Sequence, residues 1–244
     1  MKTKKVSVII PVHNSEKHIL ECLNSVIHQT YPNLEIIVVD DASKDSSVSI
    51  IKSVKDKRIK LVSLKENVGV ALARNKGIEV ATGDYICFLD SDDYWYLDKI
   101  QKQVDFISDK AFIYTSYEFY HDGKSHKIHV PVSITYEEAL KNTTIFTSTV
   151  MFNMKYLSKE NIYMPNIRLG QDTATWWQVL KKGITAYGID EVLSIYRVEG
   201  KSLSSNKWKA LKRTWNIYKR ENLSFFKRLY CFCFYICHAI QRRI

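Results

Sequence analysis

At 244 residues, with 45% hydrophobic and 25% charged side chains, eight Gly and four Pro, the chain is neither a collagen-like or Pro-rich filament nor a mostly disordered polymer. The length suits one large α/β domain, or one domain with an appendage. The net charge of +10 sits at one end: residues 201–244 hold 11 of the 36 Lys/Arg and one of the 26 acids, leaving 25 of each sign in residues 1–200.

The first hundred residues alternate strand and helix patterns. Residues 6–11 form an apolar run bounded by Pro, which predicts a buried strand. Residues 16–29 put Ile19, Leu20, Leu23, Val26 and Ile27 on one helical face. A second strand, 34–39, stops at Asp40-Asp41, and Ser43 or Asp45 can cap the helix carrying Val48, Ile51 and Val54. Residues 59–64 predict a third strand, and 68–81 a helix that ends at Thr82-Gly83. A fourth strand, 85–89, runs directly into Asp90-Ser91-Asp92-Asp93. After about residue 110 the pattern loosens: strands are predicted over 112–120 and 147–152, a short helix over 136–141, and a helix over 172–182 with Trp176 and Trp177, closed by Gly183.

Repeated β-α-β units imply a mainly parallel sheet with helices on both faces. Ligands of such sheets collect beyond the carboxyl ends of the strands, so both acidic clusters are expected on one rim. Each cluster has two readings. Asp90-Ser91-Asp92-Asp93 suits a hard divalent cation such as Mg²⁺ or Mn²⁺, or is a solvated turn. Asp40-Asp41 joins that site, or caps the next helix.

Five segments occur in order: VSVIIPVHN (6–14), QTY (29–31), VDDAS (39–43), NVGVALARNKG (67–77) and GDYICFLDSDD (83–93). Together they resemble the nucleotide-sugar-binding half of a family 2 glycosyltransferase with the GT-A fold. The resemblance is dense over residues 5–100 and thinner to about 205. It implies that Pro11, Val12, His13 and Asn14 line the base pocket and that Asp41 accepts a hydrogen bond from uracil. It gives Asp40 a role in the loop or at the ribose, and sets Arg74 near the uracil and diphosphate. Asp90 and Ser91 would approach the ribose, Asp92 would hold a Mg²⁺ or Mn²⁺ ion bridging the phosphates, and Asp93 would support. His13 departs from the Tyr often found there.

Family members usually carry an acidic pair near the start of a later helix. Here that pair is Gln171-Asp172, so Asp172 is the one candidate catalytic base in the motif; a plain helix cap followed by core tryptophans is the alternative. Residues 196–205 resemble a loop that closes over the donor, through which Arg197 and Lys201 would meet the diphosphate; a solvated basic loop is equally consistent. The chemistry implied is a single in-line displacement with inversion, in which the base takes the acceptor proton and cations offset the charge on the departing diphosphate.

The tail, 206–244, follows a transferase domain, 1–205, with donor (1–110) and acceptor (111–205) halves. Its twelve mostly apolar residues 229–240 lie between Lys227-Arg228 and Arg242-Arg243, preceded by Lys207, Lys209, Lys212, Arg213, Lys219 and Arg220 with Trp208 and Trp215 interleaved. That is too short to span a bilayer, and it suits a helix lying at an anionic membrane surface or one that packs on the body. A contiguous apolar helix cannot aim Cys231, Cys233, Cys237 and His238 at one tetrahedral zinc site. Cys22 and Cys87 stand alone and Cys231, Cys233 and Cys237 crowd into the apolar run, which is no disulfide framework; with no export-like leader expected, the location implied is the cytoplasmic face of the plasma membrane, peripherally bound.

The resemblance implies a UDP-sugar donor, and with the tail a lipid-linked acceptor: glucose or galactose moved to an undecaprenyl-diphosphate N-acetylhexosamine in O-antigen or capsule assembly. The sequence offers two other readings. A nucleotidyltransferase needs a Gly-rich basic loop after the first strand, where Pro11–Asn14 stands. A nucleic-acid-binding protein fits the basic tail but not its apolar content or the neutral body.

Overall fold

The computed structural model describes residues 3–121, 123–198 and 207–241. Among them is a ten-stranded sheet. β1 (Val6–Val12), β2 (Leu34–Asp40), β3 (Ile59–Ser63) and β4 (Tyr85–Phe88) run parallel in the spatial order β3-β2-β1-β4. The order continues through β9 (Met151–Asn153), β6 (Phe112–His121), β10 (Ala186–Val198) and β5 (Tyr94–Trp95). β9 is antiparallel to both β4 and β6, which turns β6 and its parallel partner β10 back into the direction of β4. β7 (Lys124–Ile128) pairs with β6, and β8 (Ser133–Ile134) with β10.

Helices α1 (Ile19–Ile27), α2 (Ser47–Ser53), α3 (Val70–Val80) and α4 (Lys99–Ile107) belong to the first half, and α5 (Tyr136–Ala139), α6 (Lys159–Ile162) and α7 (Gln171–Leu180) to the second. α8 (Lys207–Arg220) and α9 (Phe225–Gln241) complete the described chain. Alternate residues of each central strand feed two cores. On one face Ile9, Ile37 and Phe88 pack with α3 and with Trp176 and Trp177 of α7. On the other, Val8, Ile10, Ile36 and Val38 pack with Leu23 and Val26 of α1 and Ile100 of α4. Strands covered on both faces need apolar residues at every position, which is why they read as unbroken apolar runs rather than alternating ones.

Two expectations change. The strand over 147–152 begins instead with a 3₁₀ turn, Thr147–Thr149, before β9. Residues 196–198, expected in a loop, are the end of β10. Residue 201 lies outside the described residues.

The basic tail packs on the body along one side. Ile217, Tyr218 and Cys231 are buried, and Trp177 stacks on Tyr218 with centroids 5.3 Å apart and rings 8° from parallel. The Tyr218 hydroxyl donates to the Leu140 carbonyl. No helix of the described residues is long and apolar enough to cross a membrane.

At the opposite end of the strands Glu35 is a buried carboxylate. Lys60 Nζ stands 2.7 Å away, Ser7 Oγ 2.6 Å and the Thr82 amide 2.8 Å, with Lys5 Nζ at 3.2 Å. Burial pushes its pKa up, but these donors outweigh burial and bring it from 4.5 to about 2. A lowered carboxylate stabilises the fold above its unfolded pKa, and the contribution fades as pH falls from 4.5 towards 2. About 3 kcal/mol is at stake. Glu35→Gln should flatten that acid-side slope, read as melting temperature between pH 2 and 7; an unchanged slope would contradict this account.

Candidate active site

β1, β2 and β4 end together. Val12 lies in register with Asp40, and the Leu89 amide bonds to the Ile9 carbonyl at 3.0 Å. Just past β1 and β2, Asn14 and Ala42 adopt left-handed backbone angles, φ 52° and 55°. For residues with a side chain that costs roughly 1–3 kcal/mol each. Cross-links between the two loops hold it: Asn14 N–H donates to Ser43 Oγ at 3.0 Å, and Lys44 N–H to Asn14 Oδ1 at 2.8 Å. His13 Nδ1 lies 2.7 Å from the Asp41 carbonyl. The segment from Pro11 to Asn14 therefore meets the Asp40–Ser43 loop, as the first motifs required.

Asp40 and Asp41 are both buried. Asp40 Oδ1 accepts the Ser43 amide at 3.1 Å. The two oxygens of Asp41 accept the Val68 and Gly69 amides at 2.7 and 2.9 Å, so this carboxylate fixes the turn that begins α3. Ionised carboxylates offer further lone pairs, and a nucleobase N–H can add to these bonds. From α3, buried Arg74 pairs with Asp90, and its Nη1 lies 3.6 Å from Met164 Sδ.

The third cluster divides by role. Asp93 is buried at 1% exposure, and its oxygens accept Ser148 Oγ–H at 2.6 Å and the Arg197 amide at 3.0 Å. Burial, then Asp92 and Asp90, raise its pKa well above the ordinary carboxylate value. Asp93 thus ties the 3₁₀ turn and the end of β10 to the rim. Ser148 Oγ also accepts the Asp90 amide at 3.2 Å, and Ser91 Oγ lies 2.7 Å from Ser15 Oγ. Asp92 is the carboxylate left facing solvent, and the surrounding protein and then Asp90 raise its pKa to about 6.

Asp172 reaches the same turn from the other side. Its Oδ2 accepts Thr147 Oγ1–H at 3.3 Å, and its Oδ1 accepts the Thr173 amide at 2.7 Å. Gly170 sets the start of α7 with φ 79°, where a Cβ would stand 2.4 Å from Ile217 Cδ1 of α8. Thr147 touches Asp172 and Ser148 touches Asp90 and Asp93, so acids from distant parts of the chain converge on two adjacent residues. Neither was singled out from the sequence. Their signal was weak: Thr-Ser-Thr-Val reads as strand by composition. The Gln171 side-chain oxygen is buried with no partner among the described residues. Arg197 lies across α1, with Nη1 2.8 Å from His18 Nδ1 and Nη2 2.7 Å from Glu21.

Among the described residues no group of three or more His, Cys, Asp or Glu is arranged to hold a metal ion. Mg²⁺ and Mn²⁺ do not need one, because one or two carboxylates suffice when phosphates complete the shell. Asp90 is engaged by Arg74 and Asp93 by Ser148 and Arg197, which leaves Asp92 to fit that requirement.

A mostly parallel sheet whose strand ends gather these carboxylates defines the GT-A class of fold. TarS of S. aureus (residues 1–349, in complex with UDP-GlcNAc) superposes with a TM-score of 0.73 at 21% identity, over 95% of this chain and 71% of that one. Residues 7–163 match the sequence model of "Glycosyl transferase family 2". The chain belongs to that family and is a glycosyltransferase. A Bacillus subtilis protein named "Putative teichuronic acid biosynthesis glycosyltransferase TuaG" is 46% identical over 98% of this chain and 97% of its own length. The Escherichia coli enzyme WfaP, a UDP-Glc:α-D-GlcNAc-diphosphoundecaprenol β-1,3-glucosyltransferase, is 37% identical over 96% and 94%.

Proposed function

We propose that this protein transfers a hexose, glucose or galactose, from a UDP-sugar to an N-acetylhexosamine carried on undecaprenyl diphosphate, with inversion, in O-antigen or capsule assembly. The observation that carries it is the joining of the strand-end acids to Asp172 through Thr147 and Ser148. Pro11, Val12, His13, Asn14, Asp40 and Asp41 receive the uridine, with Asp41 accepting from the base. Asp90 and Ser91 meet the ribose, and Arg74 balances charge near the diphosphate. Asp92 would hold a divalent cation, which when bound offsets negative charge on the phosphates. The specificity named for WfaP supports the lipid-linked acceptor.

Asp172 takes the proton of the acceptor hydroxyl as its oxygen forms the new bond to the anomeric carbon. The bond from that carbon to the diphosphate breaks, and the electron pair leaves with UDP. Attack opposite the leaving group turns an α-linked donor into a β-glycoside. Gly170 and Thr147 position the carboxylate, and the Thr173 amide at the start of α7 donates to it.

The tail serves the membrane. α9 turns Phe226, Leu229, Tyr230, Cys233, Phe234 and Cys237 outward as one stripe, with Phe226 82% exposed. Lys227 and Arg228 flank it, which suits an anionic lipid surface at the cytoplasmic face.

Both parts are testable together. Purified protein is offered UDP-glucose, UDP-galactose and UDP-GlcNAc with a synthetic GlcNAc-diphosphate-lipid, and the product linkage is read by NMR. A β-linked hexose is expected; an α-linkage would overturn inversion, and no transfer from any of the three would overturn the donor class. Flotation with phosphatidylglycerol liposomes should recover the wild type and lose a Phe226→Asp/Phe234→Asp variant. Equal recovery of both, or tight DNA binding without flotation, removes the membrane role.

A further inference from the structure

A cavity of about 370 Å³ lies between residues 167–169, just before the Asp172 helix, and one face of α8. Four cations line it: Arg168 from the loop, and Lys212, Arg213 and Arg220 from α8, beside Asn216 and Ile217. Among the described residues none of the four makes an ion pair with a carboxylate. Glu221, the one acid of the tail, is taken instead by Lys181 at 3.2 Å and by the Tyr136 hydroxyl at 2.7 Å. Four positive charges from two separate segments, around a mostly apolar recess, suit a multiply charged anion. Guanidinium groups match phosphate oxygens in geometry as well as charge.

The position of the cavity says which anion. Gly170 abuts two residues of its wall: a Cβ there would come within 3.2 Å of Arg213 Cγ and 2.4 Å of Ile217 Cδ1. Two residues of chain, at most about 7 Å, separate Gly170 from Asp172. The donor diphosphate belongs elsewhere, at the Arg74 and Asp92 end of the rim. Past Arg220, α8 leads along the chain into α9 and its outward apolar stripe.

We propose that this recess is the subsite for the diphosphate of the acceptor lipid. The inference rests on the lipid-linked acceptor proposed above. The acceptor sugar then lies over Asp172, its diphosphate is held by Arg168, Lys212, Arg213 and Arg220, and its hydrocarbon runs towards the α9 face. Recognition of the diphosphate fixes which hydroxyl reaches the base, so the basic recess sets linkage as well as affinity.

The test uses the full chain and the variant Arg168→Gln/Lys212→Gln/Arg220→Gln, three exposed positions whose replacement leaves the core intact. Dodecyl diphosphate and inorganic pyrophosphate are titrated in the presence of saturating UDP. The alkyl diphosphate should bind the wild type and bind the variant at least about 10-fold more weakly, with UDP affinity unchanged. In transfer assays the KM for GlcNAc-diphosphate-lipid should rise by a similar factor, while the KM for the UDP-sugar stays constant. An acceptor with the same chain but no phosphates should not distinguish the two proteins.

Equal binding of dodecyl diphosphate to both proteins overturns the subsite. So does pyrophosphate that binds as tightly as the alkyl diphosphate without competing with the acceptor, which marks a site for free anions. A wild type that binds the alkyl diphosphate here but transfers no sugar to the lipid sinks the functional reading and leaves the anion site standing. A wild type that transfers normally, with a variant that matches it, does the reverse.

Discussion

Asp172→Asn should lower sugar transfer by about 10²–10⁴-fold, the range a positioned general base contributes. Asn keeps the shape, and its carbonyl can still accept the Thr173 amide bond that Asp172 Oδ1 accepts at 2.7 Å. It cannot take a proton. The loss should fall on kcat, with the UDP-sugar KM and UDP affinity close to wild type, because the reacting hydroxyl belongs to the acceptor. Steady-state transfer and UDP titration on the same preparation check both halves. Turnover within twofold of wild type would remove Asp172 as the base.

Asp92→Asn should act on the other substrate. Asp92 is the rim carboxylate not already committed to a protein side chain, and its pKa is raised by the surrounding protein and then by Asp90. An amide is a weaker ligand and carries no charge. UDP binding in Mn²⁺ should weaken by at least about 100-fold, a loss of about 2.7 kcal/mol. Without metal, UDP should bind wild type and variant alike. A variant that retains metal-enhanced UDP binding would move the cation elsewhere on the rim.

Much of the fold around this site is legible in the sequence. Residues 6–11, 34–39 and 85–89 are covered on both faces of a parallel sheet, so burial left a signal at every position. The acids that follow them marked the rim. β10 was not legible for a physical reason: its pairing with β6 shifts register between Ile189 and Val192 and again before Ile195, which breaks any two-residue alternation. The turn at Thr147 and Ser148 was hidden differently. Its residues favour strand by composition, and only the buried partners Asp93 and Trp95, whose indole N–H donates to the Ser148 carbonyl at 2.7 Å, show why the chain coils there. The tail was legible in charge but not in direction, because sequence gives the helix face and not what it rests on. Lys212, Arg213 and Arg220 read as part of a basic tail suited to a membrane surface; three of the four cations of the recess were thus visible without the recess.

β10 enters the sheet late, yet it finishes what the early strands begin. It lies against β5, β6 and β8 and delivers the Arg197 amide to Asp93. Cutting the polypeptide where the family match stops, at residue 163, would strip β6 of that neighbour and take one proton donor from Asp93. The fragment would carry every donor-side motif and still present a raw, sticky sheet margin beside a half-built rim. The donor half is therefore not a portable cassette: swapping specificity between relatives requires that β10 travel with it.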